Sequence, residues 1–246
     1  MSTIRRSARC LIDGTAREGT IEDDAFIYTG GRASLASVTF LPPCIPSKII
    51  GIGRNYADHA AELANPLPAE PLLFFKPSSA LNHHNGAVTY PVHSQRVDYE
   101  GELGVVIGVR CKAVPRSRAH EVIMGYTICN DFTARDLQRT DGQWARAKGF
   151  DGFAPIGPCI ASGIEPSDLR LRTRLNGVVK QDATTASLVF DVPALVEYVS
   201  AAFTLEPGDV ISTGTPAGVG PVQPGDVVEV EIESIGVLRN TIVAPG

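Results

Sequence analysis

The chain has 246 residues, enough for one large domain or a main domain with a small appendage, and 43% are hydrophobic, so it can bury a sizeable core and wholesale disorder is excluded. Its 22 Lys and Arg against 27 Asp and Glu give a formal net charge of −5, which argues against nucleic acid or an anionic membrane as a partner. The basic clusters Arg116/Arg118 and Arg170/Arg172/Arg174 are too short to reverse that reading.

No stretch supplies the roughly eighteen uninterrupted apolar residues of a membrane span, and Met1–Cys10 lacks the apolar core and cleavage site of a signal peptide. The cysteines Cys10, Cys44, Cys111, Cys129 and Cys159 are odd in number, far apart and without a CxxC pair. That spacing suits reduced, mostly buried thiols in a cytoplasmic protein, not a disulfide framework or a structural zinc site.

In chain order, residues 1–43 read as a small β-rich unit. The segment Leu41-Pro42-Pro43-Cys44-Ile45-Pro46 is a stiff, non-helical connector, and residues 44–246 form the main domain. Strand signals follow at Lys48–Gly53, at Leu72–Phe75, which Lys76-Pro77 stops, and in the second half of Val97–Gly108. Arg170–Lys180 is a hairpin around Asn176-Gly177, whose residues favour positive φ, and Val227–Ile232 alternates as a half-buried strand does. Two Pro-Gly turns, Pro207-Gly208 and Pro224-Gly225, each lead into a strand. Helices are expected at Ala57–Ala64, Arg118–Met124 and Val192–Ala202, the last capped by Asp191 with Pro193 in its first turn. So few helices among so many strands make a parallel β/α barrel a poor fit and point to a β-rich α+β fold.

The most informative stretch is Val97–Gly108. Strand periodicity puts Asp98, Glu100 and Glu102 on one face and Tyr99, Leu103, Val105 and Ile107 on the other. Carboxylates side by side at the mouth of a buried strand repel unless a proton or cation compensates, and a hard divalent ion does so through oxygen ligands. A solvated acidic face is the commoner reading of a single Glu-x-Glu. Asp131 ends the apolar run Tyr126–Asn130 and is placed either to join those acids or to cap the following turn, whereas Asp136 and Asp141 read as surface acids.

His59 and Glu62, three residues apart on a short helix, share a face. A carboxylate beside an imidazole makes a general base, although a surface pair is the commoner outcome. Lys148 lies amid small and aromatic residues, as an anion or carbonyl ligand would, or as a solvated loop lysine. Ile211–Gly220 is a strand running into a glycine-rich loop that offers an oxyanion backbone N–H groups and the Thr215 hydroxyl, or is a plain turn. His83, His84 and His93 are expected in solvent. Gly51 and Gly53 lack the third glycine of a dinucleotide fingerprint, and neither a G-x-S-x-G elbow nor an H-E-x-x-H helix is present.

Together GRNYADHAAEL, FFKPSSAL, DYEGELGVVIG, NDFTARDLQ, AKGFDGFAPIGP and TGTPAGVGPV resemble, in order, the motifs of the fumarylacetoacetate hydrolase family. They span nearly all of the chain beyond the N-terminal unit, which matches only weakly. The resemblance implies a rolled mixed β-sheet, a homodimer, and one Mg²⁺ or Mn²⁺ per subunit at Glu100, Glu102 and Asp131. It further implies that His59 and Glu62 activate water on a lid helix, with Lys148 assisting, and that Arg54, Arg135, Gln138 and Thr215 line the substrate pocket. The substrate implied is a small 2-oxo acid. The reaction expected is cleavage of the C–C bond of an acylpyruvate-type 2,4-dioxo acid through a metal-stabilised pyruvate enolate. Oxaloacetate decarboxylation or tautomerisation, or isomerisation of a 2-hydroxyhepta-2,4-diene-1,7-dioate type in aromatic catabolism, would use the same enolate. A cation-stabilised β-rich binding module without turnover is the reading from outside enzymology.

Overall fold

The structure, a computed structural model, describes residues 3–245. The β-rich α+β fold expected from the sequence is observed: among the described residues the strands form sheets of twelve, five and three. The largest sheet is mixed. Its path runs from the N-terminal meander (Gly31–Ser34, Ala25–Tyr28, Thr15–Glu22, Arg5–Ile12) through Ala154–Ser162, Ile123–Asn130, Gly101–Ile107, Val210–Ser212 and Ile49–Gly53 to Leu72–Lys76. Along that path only Val210–Ser212 beside Ile49–Gly53 is parallel. The N-terminal strand is hydrogen-bonded onto the main sheet, with Arg5 opposite Ser162 and Ser7 opposite Ile160.

All seven residues of Gly101–Ile107 are buried, as an apolar run with both faces covered requires. One cover is the five-stranded sheet, in which Val228, Val230 and Ile232 are fully buried and alternate with the half-buried Val227, Glu229 and Glu231. The predicted hairpin turns at Asn176 and Gly177, both with positive φ. The two sheets approach closely at Gly101, where a Cβ would lie 2.3 Å from Thr173 Oγ1 and 2.9 Å from Val230 Cγ1, so only glycine fits.

The four α-helices among the described residues are α1 (Ala57–Glu62), α2 (Arg135–Thr140), α3 (Ala145–Gly149) and α4 (Val192–Ala202). The last is as the sequence predicts, with the Asp191 carboxylate accepting from Ala194 N at 3.0 Å, and its apolar face buries Leu195, Val196 and Val199. No helix is long and apolar enough to cross a membrane. All five cysteines are free, and four are buried.

Four expectations are corrected. Arg118–Met124 is not an α-helix: a 3₁₀ segment spans Arg116–Glu121, and the β-branched Val122-Ile123 turns the chain into the strand Ile123–Asn130, with Ile123 opposite Ile107. Val97–Gly108 is interrupted at Glu100, so Val97–Tyr99 pairs with Thr133–Ala134 and Gly220–Pro221 in the small sheet. His83 and His84 are half-buried and only His93 is exposed. Burial pulls the His84 imidazole down to about 4, its Nδ1 accepts from Arg239 N at 3.2 Å, and its ring stands edge-on to Phe40. Asp136 is half-buried, accepting from Ser94 Oγ at 2.6 Å and Gln95 N at 2.8 Å.

The connector is fastened to the parallel strand pair by Asp209. One of its carboxylate oxygens accepts from Ser47 N (2.9 Å), Ser47 Oγ (2.7 Å) and Lys48 N (3.1 Å), and the other from Glu206 N (2.8 Å) and the Lys48 ammonium. Burial alone would raise the pKa of this carboxyl, but these bonds outweigh it and hold the group below the usual aspartate range. Asp209→Ala is expected to cost about 2–4 kcal/mol in urea unfolding at pH 7. Because the folded pKa is depressed, the ionic part of that contribution is present above the unfolded aspartate value and fades as pH falls through the folded one. The gap between variant and wild type should therefore narrow in acid, and a pH-independent gap would contradict this assignment.

Candidate active site

Glu100, Glu102 and Asp131 converge because two neighbouring strands end together. Gly101 lies opposite Asn130 and Glu102 opposite Cys129. At the strand ends, Glu100 N donates to Asn130 Oδ1 at 3.0 Å and Asp131 N to Glu100 O at 2.8 Å, fixing the two turns to each other. Each of the three buried acids offers an oxygen within 4.8 Å of the others, the spacing a single cation needs. Asp131 caps no helix.

Three cations are buried with them. The Lys148 ammonium bridges Glu100 (2.7 Å) and Asp131 and lies 4.7 Å above the centre of the Phe74 ring. Lys76 reaches the other oxygen of Asp131 and donates to Phe132 O at 3.1 Å. Arg135 joins Glu100 to Asp98, the latter at 2.9 Å. Four buried carboxylates thus face three buried cations, and Glu102 is the one without a cation partner. It has only Ser212 Oγ at 2.6 Å and Gly214 N at 2.9 Å.

The protonation pattern follows from this imbalance. Burial would raise Glu100, but Lys148 and Arg135 hold it well below the ordinary carboxylate range. Glu102 goes the other way: burial first, then the charges of Asp131 and Glu100, push it up to about 8. A hard divalent cation fits this donor set: all ligands are carboxylate oxygens, which keep lone pairs beyond those the lysines use, and the set is short of positive charge at Glu102.

The cavity beside the cluster has a volume of about 270 Å³ and includes His59, Arg54, Gln138, Arg139, Trp144 and Thr215 in its wall. His59 on α1 is buried, and its Nδ1 has no hydrogen-bond partner. Glu62 Oε2 lies 3.5 Å from that nitrogen, too far for a hydrogen bond, and both Glu62 oxygens accept instead from Gly218 N at 3.1 and 3.2 Å. Burial is the main cause that lowers the His59 pKa, with Arg135 and Lys148 adding to it and Glu100 and Glu62 opposing, so the ring is neutral at pH 7.

All of the sequence-predicted residues except Glu62, which is turned to Gly218 N, therefore line one cavity, with two differences in detail. Gln138 Oε1 accepts from Arg135 Nη1 at 2.8 Å, and Thr215 Oγ1 donates to Gly101 O at 2.9 Å, so both also brace the cluster. Sequence reasoning missed Lys76, which it treated as the stop of a strand, and Gln181. The buried Gln181 amide accepts from Gly101 N at 3.1 Å and donates to Thr215 Oγ1 and Pro216 O, each at 2.8 Å. The pairing of Lys76 with Pro77 at a strand end was the available signal; Gln181 directly follows the polar hairpin Arg170–Lys180 and gave none.

Residues 48–243 match the model of the fumarylacetoacetate hydrolase C-terminal family. The 4-hydroxyphenylacetate degradation bifunctional isomerase/decarboxylase of Salmonella dublin is 44% identical over 199 residues, 79% of this chain and 46% of that protein. The crystal structure of 5-carboxymethyl-2-hydroxymuconate delta-isomerase from Mycobacterium smegmatis superposes with a TM-score of 0.91 at 46% identity, covering 98% of this chain and 99% of that one. The maleylpyruvate hydrolase of Sphingobium sp. SYK-6, in complex with manganese(II) and pyruvate, gives a TM-score of 0.85 at 29% identity over 98% of this chain and 100% of that one.

The raised Glu102 pKa has a testable sign. Between its ordinary value of 4.5 and about 8 the folded, metal-free protein holds a proton that the unfolded chain releases. Stability is then lost as pH rises through that window, by up to about 1.4 kcal/mol per pH unit. In chelator, Glu102→Gln should flatten this part of the curve in urea unfolding measured from pH 5 to 8. An unchanged slope would place the proton elsewhere.

Proposed function

The chain belongs to the fumarylacetoacetate hydrolase family, and from that premise we propose that it is a cytoplasmic, divalent-metal-dependent enzyme that hydrolyses the C3–C4 bond of a small acylpyruvate-type 2-oxo acid. The observation that carries the reading is the buried acid trio short of one positive charge, opening on a cavity whose wall holds a neutral, buried histidine. Mg²⁺ or Mn²⁺ held by Glu100, Glu102 and Asp131 would supply Lewis acidity toward the 2-oxo acid, as the manganese and pyruvate of the Sphingobium hydrolase support.

The chain's own residues account for the rest. With Nδ1 directed toward Glu62, Nε2 of His59 is the ring nitrogen left to take a proton from water as the water oxygen attacks the C4 carbonyl carbon. Collapse of the tetrahedral adduct breaks the C3–C4 bond and frees a carboxylic acid, and the electron pair left on C3 is delocalised over the adjoining 2-oxo group until C3 is protonated, giving pyruvate. Lys148, Lys76 and Arg135 are bonded to Glu100 and Asp131 and hold them aimed at a common point, so they act here by positioning, their donors being engaged by carboxylates. Trp144 and Phe74 in the cavity wall give the carbon chain of a substrate an aromatic surface to pack on.

A second reading, decarboxylation or isomerisation of a 2-oxo acid through the same delocalised C3 carbanion, is favoured by one specific observation: His59 and Glu62 stand 3.5 Å apart without a hydrogen bond. The isomerase and isomerase/decarboxylase relatives agree with it. The two are separated by His59→Ala. Acylpyruvate cleavage, followed by ultraviolet absorbance with Mg²⁺, should fall by about 10²–10⁴-fold, and oxaloacetate decarboxylation, followed as released carbon dioxide, by much less. Equal losses would remove water activation from His59, and turnover that survives chelator would remove the metal.

A further inference from the structure

We infer, resting on the metal-dependent 2-oxo acid reading above, that Thr215 meets a bound ligand through its backbone N–H and not through its hydroxyl. Gln181 is the positioning residue that enforces this and that sets the span between Glu100 and Glu102.

The hydroxyl is committed to a closed ring of hydrogen bonds. Gly101 N donates to Gln181 Oε1 at 3.1 Å, Gln181 Nε2 donates to Thr215 Oγ1 at 2.8 Å, and Thr215 Oγ1 donates to Gly101 O at 2.9 Å. The direction of each bond is forced. Gln181 Oε1 faces an N–H, and Nε2 also reaches Pro216 O at 2.8 Å, so a flipped amide would set donor on donor and acceptor on acceptor. Thr215 Oγ1 must then accept from Nε2, and its single proton belongs to Gly101 O. Toward the cavity that oxygen has only a lone pair left, which repels the oxygens of a carboxylate or a keto group. Gln181 and Thr215 are both buried, so turning the proton to a ligand would break the ring where water cannot mend it.

The N–H of the same residue is in the opposite condition. Thr213 N donates to Leu103 O at 2.9 Å and Gly214 N to Glu102 Oε2 at 2.9 Å, whereas Thr215 N has no acceptor among the described residues. Buried backbone N–H groups are nearly always paired, and this one belongs to a residue that lines the cavity beside the acids. An oxygen of the ligand completes it.

Gln181 ties the two halves together. Gly101 separates Glu100 from Glu102, and both of its polar backbone groups are gripped by the ring, which holds the acids at their spacing. The Thr215 peptide is fixed on either side, by Glu102 on Gly214 N and by Gln181 on Pro216 O. Beyond it Gly218, with φ +97°, lies so close to the strand Val178–Thr184 that a Cβ would stand 2.0 Å from Lys180 O. The loop is thereby seated on the strand that carries Gln181.

Mn²⁺ affinity, read from the free-ion electron paramagnetic resonance signal, and oxalate affinity, read by calorimetry at saturating Mn²⁺, test the two roles separately. Gln181→Met and Thr215→Val should each weaken Mn²⁺ binding about 10–100-fold, and Thr215→Ser, which keeps the hydroxyl, should restore it. The double variant should lose far less than the product of the single losses, because both break one ring. Thr215→Val should change oxalate affinity less than about twofold. In the Mg²⁺-loaded protein labelled with ¹⁵N-threonine, the Thr215 amide proton, assigned by its loss in Thr215→Ser, should move downfield when oxalate is added. Oxalate affinity about tenfold or more weaker in Thr215→Val, with Mn²⁺ affinity unchanged, would make the hydroxyl the ligand and overturn the inference. So would an unmoved Thr215 amide, or wild-type Mn²⁺ affinity in a Gln181→Met protein shown by urea unfolding to be folded. Each of these leaves the metal-dependent reading standing. Failure of the wild type to bind Mn²⁺, or oxalate in its presence, overturns that reading and this inference with it.

Discussion

The structure depends on an arrangement of charge that water would ordinarily forbid. Asp98, Glu100, Glu102 and Asp131 are all removed from solvent, and Lys76, Lys148 and Arg135 are buried with them. Each cation sits on a carboxylate and each carboxylate but one on a cation, so the cluster is nearly balanced and one negative charge over. Buried ion pairs contribute little net stability compared with apolar packing, because desolvation consumes the attraction. Seven such groups in one place are better explained by what they do: they hold Glu100 in its charged form, leave Glu102 to be settled by a proton or an ion, and keep those two and Asp131 from spreading apart.

That cluster also explains how much of the protein was legible in its sequence. Period two along a strand put Glu100 and Glu102 on one face, and the end of an apolar run singled out Asp131; the three acids do meet, although the strand itself is broken at Glu100. The turn at Asn176-Gly177 and the cap at Asp191 were readable for the same reason. Local pattern failed wherever a distant partner decided the outcome. Val122-Ile123 left the helix because Ile107 was waiting as a strand neighbour. Lys76 reads as a strand terminator until Asp131, 55 positions away, is seen to need it. The continuity expected through Val97–Gly108 broke because Val97–Tyr99 found partners in another sheet.

The two chemical readings of the site differ less in structure than in the use of one side chain. Activation of the 2-oxo acid head and charge balance are common to them, and they part over whether His59 takes a proton from water. The placement of Glu62 against Gly218 N is where that choice is expressed, since the same carboxylate stands within a small displacement of the imidazole. A short helix carrying both residues can therefore tune the reaction without touching the acids.

Gly101 gives the design a further property. It lies between two of the acids, its N–H is read by Gln181, its carbonyl by Thr215, and its missing side chain is the space in which the two sheets meet. The groups that converge there come from residues near 100, 130, 181 and 215, so no short piece of the chain contains the site. A fragment ending after Gly149 would keep every acid and every cation of the cluster and still lack Ser212 and Gly214, which hold Glu102, and Gln181 and Thr215, which hold Gly101. The site is thus a property of the joined sheets, inherited whole or lost whole.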